Sequence, residues 1–323
     1  MGGFLAELGK KLAERWLSLL VLPGLLYLAV LIAASLLGHR HPLAFGRLTS
    51  WLEDWTSTPG LNSVSGLVLV LLATLLAAAG AGLAAQALGS VTEQAWLAER
   101  WQSWPPPLRC LAASRTTKRI RRWTAATETY RRQVYTTRTQ LADHAGTPPE
   151  GDLGQAYWVV TRIAQEKPAR PTWIGDRIHA VIVRLDREYL LDLTTVWPSL
   201  WLTLPEPTRT EITTARQALT RATTLAGWGL LYLAVAALWW PGLFLAAATI
   251  TTAWRRARTA ADTYALLLEA ATRLHTPDLA RALGLNHTGR LTQQTGWALT
   301  CLLQGRSDLV PLTTGWPTPV KGK

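Results

Sequence analysis

The chain has 323 residues, carries 33 Lys and Arg against 21 Asp and Glu for a formal net charge of +12, and contains two cysteines. Cys110 and Cys301 lie too far apart for a disulfide framework, and a reducing cytoplasmic setting suits both thiols. A mean hydropathy of +0.11 lies between that of a soluble domain and that of a bundle built only of membrane helices, so a large polar part accompanies any membrane segment.

In chain order, residues 16–37, 67–88 and 222–254 are three stretches without a charged side chain. The hydrocarbon core of a bilayer is about 30 Å thick and a helix rises about 1.5 Å per residue, so about 20 apolar residues cross it. Each stretch meets that length, which predicts an all-α, multi-pass helical membrane protein with the lipid bilayer as its solvent. Lys10, Lys11 and Arg15 precede the first stretch, which is too long for a signal-peptide core and lacks a small-residue cleavage site, so it reads as a retained anchor. The positive-inside rule holds that basic flank in the cytoplasm and sends the loop 38–65 outward. Pro23 and Gly24 predict a kink in the first span. In the second span Ala77, Ala81 and Ala85 recur every fourth residue, as do Ala78 and Gly82. Such a small-residue face lets helix backbones pack closely, and it also permits a homo-oligomer contact.

Beyond the second span charge takes over. Between Arg100 and Arg138 there are ten Lys or Arg and a single acid, Glu128, an asymmetry that calls for an anionic neighbour. Residues 93–102 predict a membrane-proximal helix, ended by Trp104 and the prolines 105–107. Over 114–142, Ile120, Trp123, Thr127, Tyr130, Val134 and Leu141 share one helical face. Lys118, Arg119, Arg121, Arg122, Arg131, Arg132 and Arg138 occupy the others, and the first six are the expected binding set for an anionic surface. A basic amphipathic helix near a membrane meets anionic lipid head groups. Nucleic acid is an unlikely partner, because no helix-turn-helix, zinc or RNP pattern accompanies the charge.

Residues 171–205 carry the most distinctive motif: Pro171-Thr172-Trp173-Ile174-Gly175-Asp176, then Tyr189-Leu190-Leu191-Asp192, Trp197-Pro198-Ser199-Leu200 and Leu204-Pro205. It resembles an uncharacterised family of multi-pass bacterial membrane proteins in which PTxxGN precedes YGxD, WPxL and LP ahead of the next span. Asp176 stands where that family has Asn, and Leu190 where it has Gly. The resemblance implies membrane location and topology, and no activity. On the residues alone, Gly175 and Pro198 set turns or helix ends, Asp176 caps a helix, and Arg184 pairs with Glu188 at i,i+4. Trp197, Leu200 and Trp201 are expected along the inner membrane surface. A structural corner is one reading of this motif; a partner or ligand site around Asp176, Tyr189 and Asp192 is the other.

The third apolar stretch has 33 residues (254 − 222 + 1), about 50 Å of helix and too long for one ordinary crossing. Trp239-Trp240-Pro241-Gly242 near its middle predicts a hairpin with arms 222–240 and 243–257, the alternative being one Pro-kinked span. Arg216 and Arg221 before it and Arg255, Arg256 and Arg258 after it suit one cytoplasmic side. Residues 257–275 continue as an amphipathic helix carrying Tyr264, Leu267, Leu268 and Ala271. Pro277 and Gly284 bracket a short helix 278–283, 289–303 predict another, and the tail from Gly305 reads as disordered.

The expected organisation is a membrane hairpin over 1–90, a cytoplasmic helical domain over 91–221, a second membrane hairpin over 222–257, and cytoplasmic C-terminal helices with the tail over 258–323. Both termini fall in the cytoplasm of a cell with this chain in its inner (plasma) membrane. The six histidines show no metal-ligand spacing, no cofactor fingerprint is present, and no P-loop, GxSxG or HExxH occurs. The chain therefore reads as a non-enzymatic anchor or scaffold presenting its basic domain to a cytoplasmic protein partner. The second reading is a subunit of an oligomeric channel or pore.

Overall fold

The computed structural model describes residues 21–39, 46–56, 63–143, 152–285 and 289–309, with the single positions 7, 42 and 44. Among the described residues the regular structure is helical and no strand occurs. The helices are α1 (Leu22–Leu37), α2 (Gly46–Thr56), α3 (Val64–Leu97), α4 (Pro106–Asp143), α5 (Asp152–Ile163), α6 (Trp173–Tyr189), α7 (Leu193–Thr203), α8 (Glu206–Ala236), α9 (Gly242–Ala282) and α10 (Gln293–Leu303). They form two compact units, the first of Met1–Glu93 with Thr220–Ala257, the second of Gln94–Leu219 with Arg258–Lys323.

In the first unit, α3 is long and apolar enough to cross a membrane, and only 11% of its most apolar window is buried. Leu, Val and Ala fill it without a charge until Glu93, so its outward side chains have no water-compatible face. It runs unbroken to Leu97 and takes in half of the segment expected as a separate helix at 93–102. The shorter apolar helix α1 begins with Pro23 in its first described turn; residues 16–20 of the expected span lie outside the described residues. A helix not anticipated from the sequence, α2, occupies part of the loop 38–65.

Small residues set the packing of this unit. Ala78, Gly82, Ala85 and Gly89 form the buried stripe of α3. A Cβ on Gly24 would lie 2.2 Å from the Ala78 carbonyl oxygen, and one on Gly227 would lie 2.1 Å from that of Ala85. Backbones approach this closely only where no side chain intervenes. The face anticipated at 78, 82 and 85 is thus used within the chain, whereas Ala77 is exposed. Tyr27 of α1 packs edge-on to Tyr232 of α8, with ring centroids 5.6 Å apart.

The third apolar stretch divides at residues 237–241, where Leu238 and Trp239 N–H groups both donate to Val235 O and Gly242 N–H donates to Trp239 O. A Cβ on Gly242 would sit 3.2 Å from Ala236 N, and one on Gly229 would sit 2.5 Å from Ile250 Cγ1. The position sums of these two contacts, 242 + 236 = 478 and 229 + 250 = 479, are nearly equal, so α8 and α9 run antiparallel here. A single kinked helix would hold 229 and 250 about 30 Å apart. The tip is fastened to the segment after α1: His39 Nδ1 lies 2.7 Å from Leu238 O, and Trp239 Nε1 donates to Pro42 O.

The second unit closes around two groups of buried residues. Leu191, Val196, Leu200, Leu204, Ile212, Leu279, Leu285 and Leu299 belong to the larger, Val181, Leu185, Leu193, Ala265 and Leu268 to the smaller. Leu200 is therefore core, with Trp197 and Trp201 packed around it, and not part of an outward aromatic surface. Pro277 does not break α9, which passes through it to Ala282; only the hydrogen bond to the Arg273 carbonyl is lost. The helix stops at Gly284, whose φ of 78° lets Leu285 N–H reach back to Ala280 O. In the same way Gly305, at φ 74°, ends α10 with Arg306 N–H donating to Cys301 O. Residues 307–309 form a short 3-10 turn, and the remainder of the tail lies outside the described residues.

Candidate functional site

The PTWIGD motif is a fastening point. Thr172 caps α6, accepting from Gly175 N–H at 3.1 Å, and its hydroxyl donates to Trp96 O. Arg170 Nη1 donates to Leu97 O at 3.0 Å, so two otherwise orphaned carbonyls at the end of α3 acquire donors. Gly175 is inside the first turn of α6 and does not end a helix. A Cβ there would lie 2.3 Å from Leu97 O, so the close approach requires glycine. Trp173 carries the Arg258 guanidinium over its ring, 4.3 Å from the centroid.

Asp176 is buried, and both its oxygens are occupied. Oδ1 accepts from Ala169 N–H at 2.9 Å and Arg170 N–H at 2.7 Å; Oδ2 accepts from Arg119 Nη2 at 2.7 Å and Nε at 3.2 Å. Arg119 also donates to Ile163 O, and Trp123 Nε1 to Ala164 O, so α4 is tied to the segment leading into α6. Arg119 is thus turned inward, with its side chain 20% exposed, a correction to its expected membership of the solvent-facing set. A carboxylate desolvated to this degree is stable only with such a donor set.

Nearby, burial lowers the pKa of Arg170, with Glu99 and Asp176 opposing. Burial and then the Arg170 charge lower that of His179, against the opposing pull of Asp176, and His179 Nδ1 is buried without a hydrogen-bond partner. Arg177, 2% exposed, reaches Asp262 through Nε at 2.5 Å.

Asp192 and Tyr189 lie at the other end of α6, about 20 Å from Asp176 at 1.5 Å per residue over 13 positions (189 − 176). Asp192 caps α7, accepting from Thr194 N–H and from the Thr194 and Thr195 hydroxyls. Burial pushes its carboxyl up, but the hydroxyls and the backbone N–H groups of Thr194 and Thr195 together outweigh burial and hold it below the usual range. Its own N–H donates to Thr300 of α10 at 3.0 Å, and a Cβ on Gly296 would touch Tyr189 O. The fold therefore does not gather Asp176, Tyr189 and Asp192 into one site. Pro198 lies within α7, not at its end. Arg184 pairs with Glu269 at 3.1 Å and Glu166 at 3.6 Å, while Glu188 meets Arg273, replacing the expected Arg184–Glu188 pair.

What remains outward is a basic face. Lys118, Arg121, Arg122, Arg131 and Arg132 are all exposed on α4, joined by Arg115 and Arg138. Glu128 is the one acid among them, 3.6 Å from Arg132 with both side chains more than half exposed. Helix α4 starts at Pro106 and not near 114, because Pro106 and Pro107 fit a first helical turn, where the missing donors are not needed. Against its inner face lies α5, with Tyr130 and Tyr157 rings 5.8 Å apart. Tyr135 (71%), Trp158 (74%) and Val159 (51%) stand exposed beside the charge. Sequence reading missed this aromatic component, since α5 is short and its exposed side mixes Tyr157, Trp158 and Val159 with Gln155 and Arg162.

Among the described residues no group of three or more His, Cys, Asp or Glu converges to hold a metal ion. Comparison with family models, with curated proteins and with solved structures found no match.

Proposed function

We propose that this protein is an integral membrane anchor or scaffold that presents its basic helical unit to an anionic partner on the cytoplasmic side. In this reading α1, α3 and the apolar arms of α8 and α9 cross the inner membrane, and both termini are cytoplasmic. The observation that carries it is the exposed basic face of α4, broken by Glu128 alone, on a chain whose α3 has no polar face to offer water.

Two further features support the topology. The α8–α9 tip is bonded to the segment after α1, which fits both on the outer side, and Arg221, Arg255 and Arg256 mark the other end of the hairpin. The apolar arm 222–236 is about 22 Å long (15 residues), shorter than the hydrocarbon core, so its flanking Arg and Trp side chains reach to the head groups. The motif resemblance adds the same expectation of a multi-pass membrane location.

The head groups of the inner leaflet are the nearest anionic surface, and an acidic face on a cytoplasmic protein would use the same guanidinium groups. The test uses the full chain in neutral-lipid nanodiscs, mixed with anionic vesicles. Each basic residue near such a surface contributes about 1 kcal/mol, so binding is expected and should weaken with salt. Replacing Lys118, Arg121, Arg122 and Arg132 with Gln should remove most of it. Equal binding to neutral vesicles, or no loss on substitution, would contradict the proposal.

A further inference from the structure

We infer that the first unit holds one anionic phospholipid in a groove along the α8–α9 hairpin; the inference rests on the membrane reading above. The groove has a volume of about 620 Å³, and all its lining residues belong to this unit. That size is within the range of about 300–1,000 Å³ typical of ligand sites. Its two ends differ in chemistry. Arg221 and Arg256 line one end, and Tyr232 and Leu245 line the other, with Gln86 and Trp228 between them.

The helix register explains why the charges converge. Position sums of 478 and 479 govern the hairpin, and 221 + 256 = 477 puts the two arginines level with each other on neighbouring arms. The pair Tyr232 and Leu245 has the same sum, 477, so it is level too, 11 residues further along each arm, or about 16 Å. Neither Arg221 nor Arg256 has an ion-pair partner among the described residues. Two guanidinium groups above a 16 Å apolar trough match a phosphate head and the upper part of an acyl chain. Arginine forks bind phosphate oxygens bidentately, and basic pockets between membrane helices at the cytoplasmic level select anionic head groups. A zwitterionic lipid offers the same chain and the same phosphate, but brings a cation against the two arginines.

The experiment is native mass spectrometry of the full chain released from nanodiscs containing equal amounts of phosphatidylglycerol and phosphatidylcholine with identical acyl chains. Two basic groups at the phosphate correspond to a preference of about thirtyfold for the anionic lipid. The Arg221→Gln/Arg256→Gln variant should lose that preference, whereas Arg290→Gln/Arg306→Gln, at two exposed arginines outside both basic sites, should keep it. Inorganic phosphate should not displace the lipid, because it lacks the chain that fills the apolar end.

Retention of both lipids alike by the unaltered protein would overturn the inference without recourse to any variant. So would persistence of the preference in the Arg221/Arg256 variant, or displacement by phosphate. Alkaline carbonate extraction separates this failure from that of the membrane reading: release of the chain from membranes would overturn both, and a chain that stays embedded without lipid preference would overturn the groove alone.

Discussion

Asp176 accepts four hydrogen bonds from three residues, and Arg119 supplies two of them. Replacing it with Asn would keep an acceptor for the backbone donors but turn an amide NH₂ toward the guanidinium. Breaking a buried pair on one side costs about 3–5 kcal/mol. Asp176→Asn should therefore lower the thermal midpoint sharply, and adding Arg119→Gln should restore part of the loss, giving a coupling well above about 0.5 kcal/mol in a double-mutant cycle. His179 supplies a pH signature. Its pKa is lowered in the folded state by burial and the Arg170 charge, so the native state binds its proton less readily than the unfolded chain does. Stability should fall as pH drops from the ordinary imidazole value of about 6.5 toward the lowered one, and His179→Gln should flatten that part of a melting-temperature profile. Leu190 holds the left-handed conformation at φ 52°, where a β-branched side chain is a steric outlier. Leu190→Ile, which conserves volume, should cost about 1–2 kcal/mol by chemical denaturation, while Leu190→Gly should be tolerated. At this scale the sequence marked Asp176 and the departure from Gly at position 190, but the helix cap expected of Asp176 is made by Thr172, while Asp176 accepts from the Ala169 and Arg170 N–H groups and from Arg119. It could not show the partner of Asp176, because Arg119 is 57 residues away and looks like every other arginine on its helix.

Helix packing in the first unit depends on the absence of side chains at particular points. A Cβ on Gly227 would lie 2.1 Å from a backbone oxygen that cannot move cheaply, whereas one on Gly80, on the far side of α3, would meet nothing within 4 Å. Gly227→Ala should therefore destabilise by about 1–3 kcal/mol through overpacking. Gly80→Ala should be neutral or stabilising by up to about 1 kcal/mol, since alanine favours helix. Thermal unfolding in detergent, followed by circular dichroism, distinguishes the two, and equal effects would contradict the packing described. Elements were legible where one period dominated. The apolar run within α3, the turn near Pro241 and the inner face of α4 all follow from patterns a few residues long. Boundaries failed where a proline or a charge read as a stop. Pro277 lies inside α9, Pro106 opens α4, and α8 begins at Glu206, 16 residues (222 − 206) before its apolar part, because tertiary contacts extend helices through positions that local propensity would end. The ion pairs of Arg184 and Arg273 link residues 85 apart and so lay beyond any reading by i,i+4 spacing.

For the whole molecule, two units each assembled from separated stretches of chain give an apolar bundle and a polar, basic body, and the proposed function follows from that division. The topology is the claim on which the rest depends, and neither native cysteine serves to test it alone. Cys110 is exposed and reports its own side, but Cys301 is fully buried and would stay unlabelled wherever the C-terminal region sits. The exposed positions Ser50, on α2, and Gln304, after α10, are suitable replacements. In a Cys110→Ser background, single cysteines at 50 and 304 would be treated with a membrane-impermeant thiol reagent in intact and in permeabilised cells. The expected result is labelling of position 50 in intact cells, and of position 304, like native Cys110 in the unaltered chain, only after permeabilisation. Labelling of position 304 in intact cells would put the C-terminal region outside and contradict the four-crossing anchor.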